Sequence, residues 1–143
     1  MGRYLPLACT VVIIGASVAT LLLVIHPHVI GCPGSAATTV IDCRAVVTSP
    51  GGHLLGMPLG FWALVWLAAF WLLALVAGAK QLWFMTPWAV LGVAYAIGTE
   101  LRVGHICAWC SLDQLAILTL AVWGASGRMT RRGTPHDESG ALG

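Results

Sequence analysis

Hydrophobic residues run almost unbroken over four stretches of this chain, at about 5–25, 58–77, 84–99 and 106–123. A bilayer core is roughly 30 Å thick, and a helix needs about 20 apolar residues to cross it. The pattern therefore predicts an all-α integral membrane fold, a bundle of four transmembrane helices with a long extracytoplasmic loop between the first two. Residues 1–125 form one transmembrane domain. Residues 126–143, SGRMTRRGTPHDESGALG, are polar and Gly-rich and read as a flexible cytoplasmic tail.

Composition agrees. Of 143 residues, 59% are apolar and 8% are charged, too few charges to coat a soluble domain of this length. No basic run with interleaved aromatics suggests a nucleic-acid partner. The first stretch differs from a cleaved signal peptide: Arg3 gives it a charged start, but His26-Pro27-His28 ends it where a small-x-small site would lie. Cys9, within that stretch, reads as a small apolar residue.

Four spans leave both termini on one side. Arg3, Lys80, Arg128, Arg131 and Arg132 fall there, and only Arg44 and Arg102 fall opposite. The positive-inside rule then puts the termini in the cytoplasm and the 26–57 loop outside. A bacterial cytoplasmic membrane is the expected location. Cys32, Cys43, Cys107 and Cys110 all emerge on the outer face, where disulfides persist. The loop carries Gly31, Pro33, Gly34, Pro50, Gly51 and Gly52. It is expected to fold partly over the bundle, with a short helix near 42–48.

Cysteine placement carries the chemistry. Cys107-Ala108-Trp109-Cys110 opens the fourth span, and residues three apart share one side of a helix. A helix N-terminus lowers the pKa of a nearby thiol from about 8.5, and the thiolate is the nucleophile. Cys32 and Cys43, ten residues between them, are open to two readings: a structural staple, or a second dithiol on a flexible loop that exchanges with the CxxC pair.

The order of these residues resembles the vitamin K epoxide reductase family, in particular its small bacterial members. A loop cysteine, Cys32, is followed by Cys43. Then come Val46-Val47-Thr48-Ser49-Pro50, Gly56-Met57-Pro58 opening a span, and Ile106-Cys107-Ala108-Trp109-Cys110 at the last span. The resemblance implies a four-helix bundle that holds a quinone (of menaquinone, ubiquinone or vitamin K type) near the outer end of the fourth helix. It implies that Cys110 lies next to the quinone and that Cys107 receives electrons from Cys43. Cys32 would exchange with an extracytoplasmic thioredoxin-like dithiol protein, and Ser49 would help hold the site together. Two positions depart from the family pattern. Leu59 stands where many members carry an Asn that reaches the quinone, and Gln114 where some carry a Tyr. A convergent membrane oxidase of thioredoxin-like proteins has its CxxC early and its loop pair late, the reverse of this order.

The residues therefore predict a membrane thiol:quinone oxidoreductase. Quinone contacts are expected from Gln114, Trp62, Trp66 and Asp113, with Trp109 a further ring-pocket candidate. Asp113, inside a span, either supplies protons to reduced quinone or bonds another helix. Glu100 and Arg102 read as an interfacial ion pair, and His105 as either an aid to the Cys107 thiolate or a wet helix cap. The competing reading is a metal-binding membrane protein without redox turnover, using His26, His28, Cys32, His105, Cys107 and Cys110. No metal is expected on the favoured reading. Ser111 after the second cysteine argues against covalent haem, which needs His there.

Overall fold

A computed structural model of the chain describes residues 4–26, 28, 30–35, 39–77 and 79–126. The tail beyond Ser126, with three of the arginines used to orient the chain, lies outside the described residues, as does Arg3.

The chain is mostly helical. Its long helices are α1 (Leu5–Ile25), α3 (Leu59–Val76), α4 (Met85–Val103) and α5 (Ala108–Ala125), and the short α2 (Cys43–Val47) sits in the first loop. All four long helices are long and apolar enough to cross a membrane. Prolines open two of them: Pro6 lies in the first turn of α1, and Pro58 immediately precedes α3, where a missing N–H costs nothing. α4 is entered through a 3-10 segment, Ala79–Phe84. It ends at Gly104, whose φ of +75° suits a residue without Cβ.

Two boundaries differ from the hydropathy reading. The third helix runs to Val103 rather than 99. Glu100 and Arg102 lower hydropathy there, but neither breaks a helix, and Glu100 is buried in the bundle. The fourth helix starts at Ala108 rather than 106, because Ile106 is drawn into a β-bridge and Cys107 becomes the cap.

α1 is the central helix, packed on α5 and α3, and α4 packs on α5. One core cluster, toward the end that carries the chain termini, gathers Cys9, Ile13, Leu67, Phe70, Leu120 and Trp123. A second, at the end that carries the 26–57 loop, hereafter the outer end, joins Leu23, Cys43, Val46, Val47 and Cys107. Large apolar side chains such as Leu7, Val11, Leu75, Leu91, Leu115 and Val122 point outward. In water such a surface would drive association, whereas lipid tails are its natural solvent.

The first loop is built rather than loose. Asp42 caps α2 by accepting the Ala45 N–H at 3.0 Å. Ser49 ends α2 and caps the 3-10 turn Pro50–Gly52. A small hairpin follows, β1 (His53–Leu54) against β2 (Met57–Pro58), antiparallel with His53 opposite Pro58. Its two-residue turn, Leu55 and Gly56, has positive φ at both positions, as a hairpin of this hand requires.

Close helix contact depends on Gly60. A Cβ there would run into Thr20 Oγ1 and the Ser17 carbonyl of α1. We expect Gly60→Ala to cost about 1–3 kcal/mol through overpacking of α1 against α3. A lowered thermal midpoint in detergent tests this, and an unchanged midpoint would show that the crossing has slack.

Candidate functional site

The outer end of the bundle assembles four sulfurs. Val40 and Ile41 run beside Ile106 as a parallel bridge: Ile106 N–H donates to Val40 O at 2.9 Å, and Asp42 N–H donates to Ile106 O at 3.1 Å. With Ile106 extended, Cys107 takes φ −96° and ψ 109° and caps α5 with its own sulfur, accepting the Cys110 N–H at 3.2 Å. Ser111 Oγ donates back to Cys107 O at 3.0 Å. Cys107 and Cys110 are both free thiols, Cys107 with no exposed surface and Cys110 half-buried.

Cys107 sits outside the helical span, and its pKa is lowered from the ordinary thiol value. The largest cause is the hydrogen bond from the Cys110 thiol. Backbone N–H groups of Cys110 and Trp109 add to it, and burial together with the Glu100 charge opposes it.

Cys32 and Cys43 are joined by a disulfide, with Cα atoms 5.6 Å apart. Cys43 N–H also donates to Cys32 Sγ at 3.2 Å. The expectation of a flexible loop above a fixed CxxC is corrected here. Cys43 is wholly buried on α2, inside the same core cluster as Cys107. The Cys32 arm is tied as well, since Trp109 Nε1–H donates to Gly31 O at 3.2 Å. Trp109 is thus a clamp on the loop rather than a free ring. An open groove of about 420 Å³ runs past Cys32, with Arg44, Asp42 and Ser35 among its lining.

A second, narrow cavity touches Cys110. Its volume is about 20 Å³, room for a single water but not for a ring. Val46 and Val47 of α2, Gly52, Pro58, Leu59 and Gly60 close over it, and Thr20 and Val24 of α1 form the other wall. Ser49 holds this cover in place: its Oγ donates to Val46 O at 2.7 Å and accepts the Gly52 N–H at 3.1 Å.

A model of the Vitamin K epoxide reductase family matches residues 6–125. The chain belongs to that family. No curated protein and no solved structure matches it. Members of the vitamin K epoxide reductase family are oxidoreductases that use quinone or vitamin K as substrate. Membership and the four apolar helices together point to a multi-pass membrane protein with a redox function.

Within this family frame, Leu59, at the position where many members carry Asn, lines the Cys110 cavity directly. The four residues read as quinone contacts do not line it. Trp62 Nε1 donates to Leu54 O at 2.9 Å, and Trp66 Nε1 to Met85 O at 3.4 Å. Gln114 Nε2 donates to Glu100 Oε1 at 3.4 Å. Asp113 Oδ2 accepts from Ser17 Oγ at 3.0 Å. Glu100 is the residue that the sequence reading placed wrongly. It is buried and meets Gln114, whereas Arg102 is exposed, so the expected interfacial ion pair gives way to an acid facing inward. His105 Nδ1 is buried without a partner. Among the described residues no group of three or more His, Cys, Asp or Glu side chains converges to hold a metal.

Two outcomes follow from this geometry. In reduced protein the thiolate absorbance of Cys107 should titrate below the ordinary midpoint of about 8.5. Removing the donor, as in Cys110→Ala, should move that midpoint upward; no movement would mean the sulfur–sulfur hydrogen bond is not the cause. Ser49→Ala should cost about 1 kcal/mol, as loss of a cap does, and should loosen the cover, read as faster alkylation of Cys110.

Proposed function

We propose that this protein is a membrane thiol:quinone oxidoreductase that supports disulfide formation outside the cytoplasm. One observation carries the reading: Cys43 and Cys107, each without exposed surface, share one core cluster under the Ile41–Ile106 bridge. Their partners Cys32 and Cys110 pack, partly buried, against the same cluster, so the two pairs are neighbours.

The reaction runs inward. A reduced thioredoxin-like dithiol protein approaches through the groove at Cys32 and reduces the Cys32–Cys43 disulfide. The Cys43 thiolate attacks Cys107 of an oxidised Cys107–Cys110 pair, and Cys110 leaves as thiolate. Cys32 then resolves the Cys43–Cys107 linkage, which leaves Cys107 and Cys110 reduced. Exchange of this kind needs only one thiolate in reach of one sulfur, and the lowered pKa of Cys107 makes it a good leaving group when Cys32 resolves the linkage. Cys110 passes the electrons to quinone, and the Cys107–Cys110 disulfide forms again.

Quinone binds at the cavity beside Cys110, between α1 and the start of α3. The cavity is apolar on most sides, as a ring site should be. Ring entry requires Leu59 and the α2–Gly52 cover to move apart. The termini lie in the cytoplasm, so the groove at Cys32 faces the oxidising side.

Peptide mapping tests the relay. In Cys32→Ala, with no resolving thiol, a Cys43–Cys107 disulfide should accumulate. Each of the four Cys→Ser variants should abolish turnover with a thioredoxin-like dithiol and quinone in detergent. Quinol production by Cys110→Ser, or a Cys32→Ala protein without the Cys43–Cys107 linkage, would overturn the assignment of roles.

A further inference from the structure

Three of the few polar side chains inside the bundle stand together below Cys110. Ser17 and Thr20 are nearly a turn apart on α1, and both are buried. Ser17 Oγ donates to Asp113 Oδ2 at 3.0 Å, and Thr20 Oγ1 donates to the Ser17 carbonyl at 2.8 Å. Thr20 also lines the cavity that touches Cys110. Asp113 follows Cys110 by three residues on α5, so the two share a face. Asp113 is only 6% exposed, and its Oδ1 has no hydrogen-bond partner.

A purely structural role does not account for that oxygen. An aspartate inside a span is costly to insert, and a buried acceptor left unpaired adds to that cost. Ser17 satisfies one oxygen of the carboxyl and leaves the other open. No Lys, Arg or His lies on α1 or α3 to neutralise it. Cys110 lies one turn away on its own helix, and Glu100 accepts from Gln114, the residue after Asp113.

We infer that Asp113, positioned by Ser17, carries a proton between Cys110 and the quinone. This rests on the quinone reading given above. The half-reaction converts the Cys107 and Cys110 thiols to a disulfide and the quinone to quinol, moving two electrons and two protons. One proton leaves Cys110 Sγ for Asp113 Oδ1, and Asp113 gives it up to the quinol oxygen formed beside Cys110. The Cys107 proton is released to water when the cover opens for the quinone, and the second quinol oxygen takes its proton from that water. Ser17 acts by holding Oδ2, which keeps Oδ1 free to exchange.

The test is a single turnover. Full-length protein in detergent is reduced, freed of reductant and mixed rapidly with a short-chain quinone, and quinol formation is followed. Asp113→Asn keeps the shape and removes the exchangeable proton; it should slow quinol formation roughly 10²-fold, the usual scale of acid–base assistance. Asp113→Glu should recover part of the rate. An infrared carboxyl signal that changes on quinone reduction should be present in the parent and absent in Asp113→Asn. In a Cys32→Ala background, Asp113→Asn should still form the Cys43–Cys107 linkage, which separates proton transfer from folding. Quinol formation by Asp113→Asn at the parent rate overturns the relay. If that variant does not fold, Ser17→Ala decides: slowed quinol formation supports the relay, and the parent rate overturns it. A parent protein that yields no quinol at all sinks the quinone reading, and the relay with it.

Discussion

The outer end of this protein depends on two backbone hydrogen bonds, those that clip the Val40–Asp42 segment to Ile106. At a boundary where water thins out, unpaired N–H and C=O groups are costly, so these bonds are strongly favoured once the loop reaches the bundle. Each has a consequence for a sulfur. Holding Ile106 extended delays the start of α5 until Ala108 and makes Cys107 the capping residue. Holding Asp42 places its carboxylate to cap α2, whose first residue is Cys43. A single clip thus brings the loop dithiol and the helical dithiol into one apolar cluster.

The cover over Cys110 is assembled from backbone chemistry of the same kind. Ser49 closes α2, Gly52 fits against the carbonyls of Val46 and Val47 where a Cβ would not, and the Leu55–Gly56 turn sends the chain back to Pro58 and Leu59. The result is a site shut to within the volume of a water molecule. A closed site keeps a reduced Cys110 away from solvent oxidants and lets apolar contact select the acceptor.

Much of this was legible in the sequence. The four long apolar stretches announced the four long helices, because nothing but a helix satisfies its backbone within so apolar a run. The CxxC at a helix start and the short helix carrying Cys43 were also readable, whereas the capping of the Pro50–Gly52 turn by Ser49 was not. The hydrogen-bond partners of the expected quinone contacts were less so. Trp62, Trp66 and Gln114 are engaged by Leu54, Met85 and Glu100, partners far enough away in sequence that hydropathy carries no trace of them. Glu100 was misread for the same reason: its sequence neighbour Arg102 is obvious, and its true partner is 14 residues away.

The amino-acid sequence by itself determined the class of fold, the four sulfurs and the family, because long apolar runs and cysteine order are local properties of the chain. The tertiary structure alone decided that the loop is docked, that Cys43 and Cys107 are buried together, and that one oxygen of Asp113 stands unpaired beside Ser17. Those are outcomes of packing between α1, α2 and α5, and helices that are apolar all round give no periodic signal of which face meets which.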